Sequence, residues 1–460
     1  MEVELIGHRG FREWQSGLPP EQQTPENSIA AFEQSYSPKK LDGVELDVHL
    51  SRDNKLVVFH DDDLNELTDV ADLLRQPVPA TGSDPLANVN GVDLTRLRGL
   101  QTNDPAGQGK IYIADLDLAE IQALRLKTHP DNGVRHTTTH AIPTLTRVFE
   151  AVDARRASNP EDNGKFKINI EVKEAKMYQR QPGGAVVTDP SGSHQTIGKD
   201  IAGAVTRTVD DFLNAGPAAQ WSKADNLVVS SFHQMTLGRL RHADPEVPRR
   251  ALYSTFEERD FRISPDGASL EMSNRGAEDW SIQRPALPTD HLFNQRERVW
   301  DMTEAELTQA FADDARLPIV DLNGAALMRG DQPLVGVEPQ SIAISISEMT
   351  PAVARTIRDS GAEICVWTAN EQSTAVRPRE ETAALLDFLE DQQVTAFITD
   401  NSDSIVRERA AWREQKRQAA EPSRQTAATQ TPGPAPAQPT DLVPPVEQQS
   451  TRRATSFEAN

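Results

Sequence analysis

The chain has 460 residues, of which 37% are hydrophobic, and this is enough apolar material for at least one large folded core. Its 70 acidic side chains outnumber the 48 basic ones, and the net charge of −22 should repel nucleic acid and anionic membrane surfaces. No apolar run approaches the roughly 18 residues of a membrane span, and residues 1–7 lack the basic segment that opens a secretory signal. We therefore expect a cytoplasmic protein without a transmembrane segment that does not bind nucleic acid. The sequence does not indicate an oligomeric state.

Short β-branched and aliphatic runs recur along the chain with helix-like stretches between them, an alternation typical of parallel β/α folds. Eight such runs are predicted strands, at residues 3–7, 44–48, 168–172, 227–231, 250–253, 342–346, 364–367 and 396–399. Eight strands with intervening helices predict an α/β fold of the TIM (β/α)₈ barrel type. A ninth apolar run, residues 57–59, follows the second strand too closely for a helical crossover, so we expect it to return as a hairpin.

The connections between these runs are uneven in length. Residues 62–141 and 257–340 exceed normal barrel loops and are interpreted as insertions into a barrel domain of residues 1–412. Residues 413–460 are rich in Pro, Gln and Ala with few large apolar side chains, which predicts a disordered tail. Thr24 followed by Pro25 is typical of a helix start and would put Glu26 and Asn27 in the first turn.

Two acidic residues alternate with apolar ones in the second predicted strand. Glu45 and Asp47 share a face because successive side chains of a strand point to opposite sides. In a parallel barrel the apolar face packs on the helices, so the carboxylates point into the barrel mouth or core, where a bound cation would relieve their repulsion. Taken alone, the pattern also fits an antiparallel strand with an acidic face toward solvent.

The third predicted strand repeats this arrangement with Glu171 and Lys173 on one face. A third carboxylate therefore reaches the strand ends. Three carboxylates with no histidine or thiolate among them suit a hard ion, Mg²⁺ or Ca²⁺, better than zinc. The alternative is a surface Glu–Lys pair, which would contribute little energy.

Two histidines stand at strand ends. His8 and Arg9 follow the first predicted strand between Gly7 and Gly10, whose backbones allow a tight turn and close approach of a ligand. His8 could transfer protons and Arg9 could bind phosphate oxygens in bidentate fashion, although glycine-flanked histidines are also frequent in ordinary turns. His60 ends the predicted hairpin, which would bring it back near Glu45 and Asp47 of the second predicted strand. The pair suggests a general acid and a general base around one phosphorus atom.

Five motifs follow one another along the chain: His8-Arg9-Gly10, Pro25-Glu26-Asn27-Ser28, Glu45-x-Asp47-Val48, His60-Asp61 and Glu171-x-Lys173. Their order and spacing closely resemble the motif series of the glycerophosphodiester phosphodiesterase family. Later segments look like that family's strand signatures, namely Ile142-Pro143-Thr144-Leu145, Ser230-Ser231-Phe232, Val366-Trp367-Thr368-Ala369-Asn370 and Ile398-Thr399-Asp400. The similarity covers roughly residues 5–404 and leaves the predicted tail outside.

The resemblance implies a TIM barrel that hydrolyses glycerophosphodiesters, such as glycerophosphocholine, to glycerol 3-phosphate and an alcohol. In the mechanism proposed for such enzymes, the glycerol 2-hydroxyl attacks phosphorus and water then opens the cyclic phosphodiester. The implied roles are a divalent metal held by Glu45, Asp47 and Glu171, phosphate bound by Arg9 and Lys173, and acid–base catalysis by His8 and His60. Trp367 is a candidate pocket residue, or equally a core aromatic at a strand end.

Two other functions are compatible with these motifs. A catalytically silent barrel could use the tail to bind partners, but all seven core positions hold chemically competent residues, which weighs against it. A phospholipase D-like lyase that releases a cyclic phosphate would also pair two histidines with acidic metal ligands. The Pro25-Glu26-Asn27 segment and the Glu171-x-Lys173 strand favour the hydrolase.

Overall fold

A computed structural model describes residues 3–428 except for 12–22, 37–40, 77–87, 90–91, 129–133, 159–164, 174–175, 182–184, 189–195, 233, 254–260, 264–269, 273–327, 330–331, 334–338, 347–348, 350, 360, 368–378 and 401. Residues 1–410 form one compact unit and residues 411–460 a second. Among the described residues, no helix combines the length and apolar character needed to cross a membrane.

The described strands, in chain order, are β1 (Glu4–Gly7), β2 (Gly43–Leu50), β3 (Leu56–Val58), β4 (Asn88–Val89), β5 (Val92–Asp93), β6 (Lys167–Val172), β7 (Lys176–Tyr178), β8 (Thr196–Gly198), β9 (Leu227–Ser231), β10 (Arg249–Tyr253), β11 (Phe261–Ile263), β12 (Leu270–Met272), β13 (Met328–Arg329), β14 (Gln332–Pro333), β15 (Ser341–Ser345), β16 (Glu363–Trp367) and β17 (Val394–Thr399). The described helices are α1 (Ile29–Ser35), α2 (Val70–Arg75), α3 (Leu94–Thr102), α4 (Leu118–Ala123), α5 (Leu145–Ala157), α6 (Ile201–Asn214), α7 (Lys223–Asn226), α8 (Gln234–Ala243), α9 (Pro351–Asp359), α10 (Arg379–Asp391) and α11 (Ser402–Ala428).

The main sheet closes into a barrel of parallel strands. Its order is β1-β17-β16-β15-β10-β9-β6-β2-β3, and β1 also pairs with β2, which closes the ring. Each neighbouring pair is parallel except β2 with β3, whose antiparallel register joins Val48 to Val58 and Leu50 to Leu56. The predicted TIM barrel, its eight strands and the returning hairpin are therefore confirmed.

The inside of the barrel is apolar at mid-height. One buried cluster comes from strands around the ring and consists of Ile6, Leu252, Ala343, Cys365, Ala396 and Ile398. His8, Trp367 and Asp400 stand two residues beyond Ile6, Cys365 and Ile398 of this cluster, at or just past the carboxyl ends of their strands. Strand alternation places them on the same inward face. These ends form the face where the active sites of such barrels lie.

Residues 62–141, predicted as an insertion, have a hydrophobic core of their own. Buried leucines and isoleucines of α3, α4 and the short 3₁₀ helix Ile113–Asp115 pack together with Val57 and Phe59 next to β3. The insertion is therefore joined to the hairpin that follows β2. Within the second predicted insertion, residues 257–340, the described elements are two short antiparallel pairs, β11 with β12 and β13 with β14.

Two segments differ from the sequence predictions. Helix α1 begins at Ile29 rather than near Thr24, because Ser28 caps it by accepting a hydrogen bond from the backbone N–H of Ala31. Helix α11 extends to Ala428, so residues 413–428, predicted as part of a disordered tail, are helical. Their alanine, glutamine, arginine and glutamate residues are strong helix formers, which the composition argument overlooked. Residues 429–460 lie outside the described part of the chain.

Candidate active site

Three carboxylates meet at the mouth of the barrel. Glu45 and Asp47 lie on β2, and Glu171 lies on β6, where it is paired in register with Asp47. One ligand oxygen from each of the three lies within 4.8 Å of the others. Glu45 and Asp47 are fully buried by the surrounding strands, and Glu171 is partly exposed. The predicted metal ligands therefore come together in one cluster.

The cluster fits a hard divalent cation. Oxygen Oε1 of Glu45 is buried without a hydrogen-bond partner among the described residues, and an unsatisfied buried carboxylate oxygen is costly. Burial, followed by repulsion from Asp47 and Glu171, raises the pKa of Glu45 well above its ordinary value. A bound cation would supply the missing partner and offset the repulsion. An all-oxygen donor set suits Mg²⁺ or Ca²⁺.

Arg9 lies against this cluster in an unusual backbone conformation. Its φ of 55° and that of Asn27, 54°, are both in the left-handed region. The backbone N–H of Asn27 donates to the carbonyl of Arg9 at 2.9 Å, so the two turns support each other. The backbone N–H of Arg9 donates to Glu45 Oε2 at 2.9 Å, and its guanidinium donates to Glu26 Oε1 at 2.7 Å. Its Nε lies 3.5 Å from Asp47.

The loop before α1 therefore belongs to the site. Glu26 and Asn27 are both buried, and the side-chain amide of Asn27 donates to Asp47 Oδ2 at 2.9 Å. Because α1 begins only after Ser28, these residues are not part of its first turn, as the sequence had suggested, but turn back toward β2. They orient Arg9 and Asp47 rather than merely opening a helix.

Lys173 provides the second cation. It directly follows β6, and its backbone N–H continues the strand pairing by donating to the carbonyl of Val48 at 3.2 Å. Its Nζ lies 2.8 Å from Asp47 Oδ1 and also contacts Glu171. Burial lowers the pKa of Lys173, but attraction to Asp47 and Glu171 outweighs this and the pKa is raised. Burial also opposes ionisation of Asp47, yet Lys173, with further contributions from His60 and Arg9, holds its pKa far below the ordinary range. Lys173 is therefore permanently charged.

His8 is oriented by a residue that directly follows the last strand of the barrel. Its Nδ1 lies 2.7 Å from Oδ1 of Asp400, which is buried just after β17, and its Nε2 lies 3.9 Å from Glu45 Oε2. The backbone N–H of His8 also donates to the carbonyl of Thr399 at 3.1 Å. A carboxylate on Nδ1 fixes the ring and its tautomer, which leaves Nε2 to exchange protons.

His60 is brought back to the site by the hairpin, as predicted. The backbone N–H of Phe59 donates to the carbonyl of Asp47 at 3.0 Å, and the Nδ1 of His60 lies 2.6 Å from Asp61 Oδ1. His49 is buried, lies 3.0 Å from the His60 carbonyl through its Nε2, and has a pKa that burial lowers to about 4. His49 is thus a neutral structural group that supports the hairpin.

Trp367 lies at the same mouth on β16, in register with Ser345. Its ring meets Phe232 edge to face, with centroids 6.1 Å apart, and both rings pack against the apolar cluster inside the barrel. The aromatic pair stands at the ends of β9 and β16, whereas the charged residues stand on β2 and β6 or directly after β1, β6 and β17. Contact between Trp367 and a substrate remains a prediction.

Sequence reasoning missed three functional contacts. It did not assign Asp400 to His8, Asn27 to Asp47, or Asp61 to the ring of His60. A signal existed for Asp400, because it ends the last strand in phase with the inward-facing Ala396 and Ile398. No local signal identifies Asn27, since its role depends on a left-handed turn.

The family model described as the glycerophosphoryl diester phosphodiesterase family matches residues 8–275, more than half of the chain. The chain belongs to this family. The matched range contains the three clustered carboxylates, both cationic side chains and both histidines. Asp400 and Trp367 lie beyond it.

Individual members of the family match shorter parts of the chain. A glycerophosphodiester phosphodiesterase of Bacillus altitudinis is 36% identical over 73 residues, which are 16% of this chain and 26% of that protein. Another, from Caldanaerobacter subterraneus subsp. tengcongensis, is 27% identical over 176 residues, 38% of this chain and 46% of that protein. The matches thus span about a quarter to about a half of these relatives' length. The solved structure of an Oleispira antarctica phosphodiesterase in complex with the product sn-glycerol-3-phosphate has 16% identity and a TM-score of 0.41, with 88% of this chain and 96% of that chain covered.

Proposed function

We propose that this protein hydrolyses glycerophosphodiesters to sn-glycerol 3-phosphate and an alcohol with the help of a divalent metal. Family membership supports the reaction class. The observation that carries the proposal is the meeting of three carboxylates, two permanent cations and two carboxylate-bound imidazoles at one barrel mouth. Together they supply the groups that a phosphodiester cleavage requires.

Arg9 and Lys173 are the proposed phosphate ligands. Both are cations at any physiological pH, and both are held in place by carboxylates, Arg9 by Glu26 and Lys173 by Asp47 and Glu171. Counting Glu26 with the three clustered carboxylates, two negative charges remain uncompensated. A divalent cation bound by Glu45, Asp47 and Glu171 would balance them and, as a Lewis acid, would polarise the phosphoryl oxygens. An anionic diester can then bind despite the acidic surroundings.

His8 and His60 are the proposed acid–base pair. In each ring Nδ1 contacts a carboxylate, from Asp400 or Asp61, so proton transfer falls to Nε2. As the glycerol 2-hydroxyl oxygen bonds to phosphorus, one imidazole takes the hydroxyl proton and the other, as imidazolium, protonates the departing alcohol oxygen. Water then opens the cyclic diester with the two roles reversed, which gives glycerol 3-phosphate.

The test is a product assay on glycerophosphocholine, glycerophosphoethanolamine and glycerophosphoglycerol, followed by phosphorus NMR. Each substrate is offered with a chelator, with Mg²⁺ and with Ca²⁺, and the double variant His8→Ala with His60→Ala serves as control. We expect metal-dependent release of glycerol 3-phosphate that the double variant lacks. A cyclic phosphate as the final product would replace the proposal with the lyase reaction. Absence of any turnover across this set would favour a binding function.

A further inference from the structure

His49 lies on the acidic strand but takes no part in the proposed chemistry. It stands on β2 two residues after Asp47, and strand alternation puts it on the same face as Glu45 and Asp47. Its side chain is buried, and its Nε2 lies 3.0 Å from the backbone carbonyl oxygen of His60. A third histidine therefore touches one of the two proposed acid–base residues directly.

This contact fixes which nitrogen of His49 carries a hydrogen. A carbonyl oxygen can only accept, so Nε2 must be the donor. The two residues are 11 positions apart in the chain, on opposite sides of the turn between β2 and β3. The hydrogen bond thus joins the acidic strand to the residue that follows β3.

His60 stands where the backbone pairing of this hairpin stops. The backbone N–H of Phe59 still donates to the carbonyl of Asp47 at 3.0 Å. Further down, β1 pairs with the same edge of β2, at Gly43–Val44. Among the described residues, none makes a backbone-to-backbone hydrogen bond with His60. Its carbonyl is held by the side chain of His49 instead.

The carbonyl that His49 holds belongs to the peptide group joining His60 to Asp61. The side chains of these two neighbours meet, with Nδ1 of His60 2.6 Å from Asp61 Oδ1. Because the peptide group is planar, its orientation decides whether the carboxylate can reach the ring. Both side chains are about one-third exposed, 33% and 34%, so packing restrains them little. His8 differs, because its partner Asp400 is buried and comes from a distant part of the chain.

We propose that His49 is a positioning residue, whose Nε2–H holds the peptide group between His60 and Asp61 and thereby keeps the His60 imidazole aligned for proton transfer. This inference rests on the proposed role of His60 in the reaction. Proton transfer is sensitive to displacements of about an ångström. Glu45 and Asp47 are held separately by the pairing of β2 with β6. Loss of the hydrogen bond should therefore slow the bound complex more than it weakens binding of metal or substrate.

Three variants of His49 separate the hydrogen bond from the bulk of the side chain. Glutamine has as many bonds between Cβ and Nε2 as histidine, so His49→Gln can donate to the same carbonyl, whereas the amide of His49→Asn ends one bond short. His49→Met fills the space without a donor.

The first measurement is the kinetics of glycerophosphocholine hydrolysis with Mg²⁺ and with Ca²⁺. We expect kcat to fall roughly 3- to 10-fold in His49→Asn and His49→Met, as for loss of a hydrogen bond between uncharged groups. In His49→Gln, which keeps the donor, kcat should stay within about twofold of wild type. The KM and the half-saturating metal concentration should stay near the wild-type values in all three variants.

The second measurement follows the His60 ring without catalysis. NMR of protein labelled with ¹⁵N-histidine distinguishes the two tautomers of a neutral ring, and the His60 signal is assigned by its absence from His60→Ala. The carboxylate of Asp61 can only accept, so it favours hydrogen on Nδ1 of His60. Wild type and His49→Gln should show this tautomer, and its share should fall in His49→Asn and His49→Met.

Asn226→Leu is the matched control. Asn226 is also buried and its side-chain amide donates to a backbone carbonyl, that of Phe166 at 3.1 Å, but it lies just before β9, at the opposite end of the barrel from the mouth. This variant should lower the unfolding midpoint while kcat and the His60 signal stay as in wild type.

Three results would show that the positioning role is wrong. One is a wild-type kcat and His60 signal in both His49→Asn and His49→Met. Another is a His49→Gln enzyme as impaired as these two, and the third is an equal change of the His60 signal in Asn226→Leu. If wild type releases no glycerol 3-phosphate, the proposed function fails, while the His60 signal of the variants still decides the role of His49.

Discussion

Replacing Asp400 with asparagine should lower kcat by about 10- to 150-fold, the effect of losing a buried charge-assisted hydrogen bond worth about 1.5–3 kcal/mol. Asp400 is 4% exposed and lies 2.7 Å from Nδ1 of His8, so water cannot easily replace it. The neutral amide can also present its N–H₂ group to Nδ1, which would select the tautomer with the proton on Nε2. KM should change little, because the contact described for Asp400 is with His8, which is not a proposed phosphate ligand. The assay follows glycerol 3-phosphate release with a coupled dehydrogenase.

Asp61→Asn is the matched comparison. Asp61 makes the same contact with the Nδ1 of His60 at 2.6 Å, but its side chain is 34% exposed. Water can take over part of its role, so we expect a loss of less than about fivefold, as for exposed ion pairs. Equal losses in the two variants, or an Asp400→Asn enzyme within about twofold of wild type at an unchanged unfolding midpoint, would refute the reasoning from burial.

Three other predictions concern the same part of the molecule. His8→Ala and His60→Ala should each lower kcat by about 10²- to 10⁴-fold, the usual contribution of an acid or base, and a smaller loss in single-turnover assays would remove that histidine from the chemistry. Glu45→Gln should abolish metal-dependent turnover yet raise the unfolding midpoint of the metal-free protein by roughly 2 °C or more, because it removes a carboxylate that Asp47 and Glu171 repel and whose Oε1 has no hydrogen-bond partner among the described residues; a lower midpoint would contradict this. Burial lowers the pKa of Lys199 to about 8, with Asp53, Arg52, Asp117 and Asp115 as its charged neighbours. The unfolded chain then binds more protons than the folded one between this value and the ordinary 10.5, so the unfolding free energy of wild type should rise relative to Lys199→Met across this window. The unfolding free energies of both proteins are measured by urea unfolding from pH 7.5 to 10. A difference between them that stays constant over this range would refute the prediction.

The barrel could be predicted because its strands are visible in the sequence as short apolar runs. Runs such as residues 227–231 are too apolar for a surface loop and too short for a buried helix, and they fall within a residue or two of the strands in the structure. Helix ends were less certain. Thr24 with Pro25 and Ser28 offer competing start signals. The left-handed turn at Asn27, which tertiary contacts with Arg9 and Asp47 stabilise, decides between them.

Within the site, the sequence predicted only the arrangements that follow from the alternation of side chains along a single strand. Glu45 with Asp47, and Glu171 with Lys173, share a face by strand geometry alone, and the structure brings both pairs together. The contacts of Asp400 with His8 and of Arg180 with Asp115 join residues 392 and 65 positions apart. Such pairings depend on how strands order around the ring and how an insertion packs, which periodicity does not encode.

The pairing of His8 with Asp400 also bears on the order in which the proposed active site forms during synthesis. The two residues stand near the beginning of the chain and after its last barrel strand, and β1 is flanked by β2 and β17. During synthesis the first strand leaves the ribosome long before the strand that completes its pairing. The three clustered carboxylates lie on the earlier strands β2 and β6, but Asp400 cannot orient His8 until residue 400 has emerged. The oriented His8 is then the last part of the proposed active site to form, and its contact with Asp400 reports that the ring has closed.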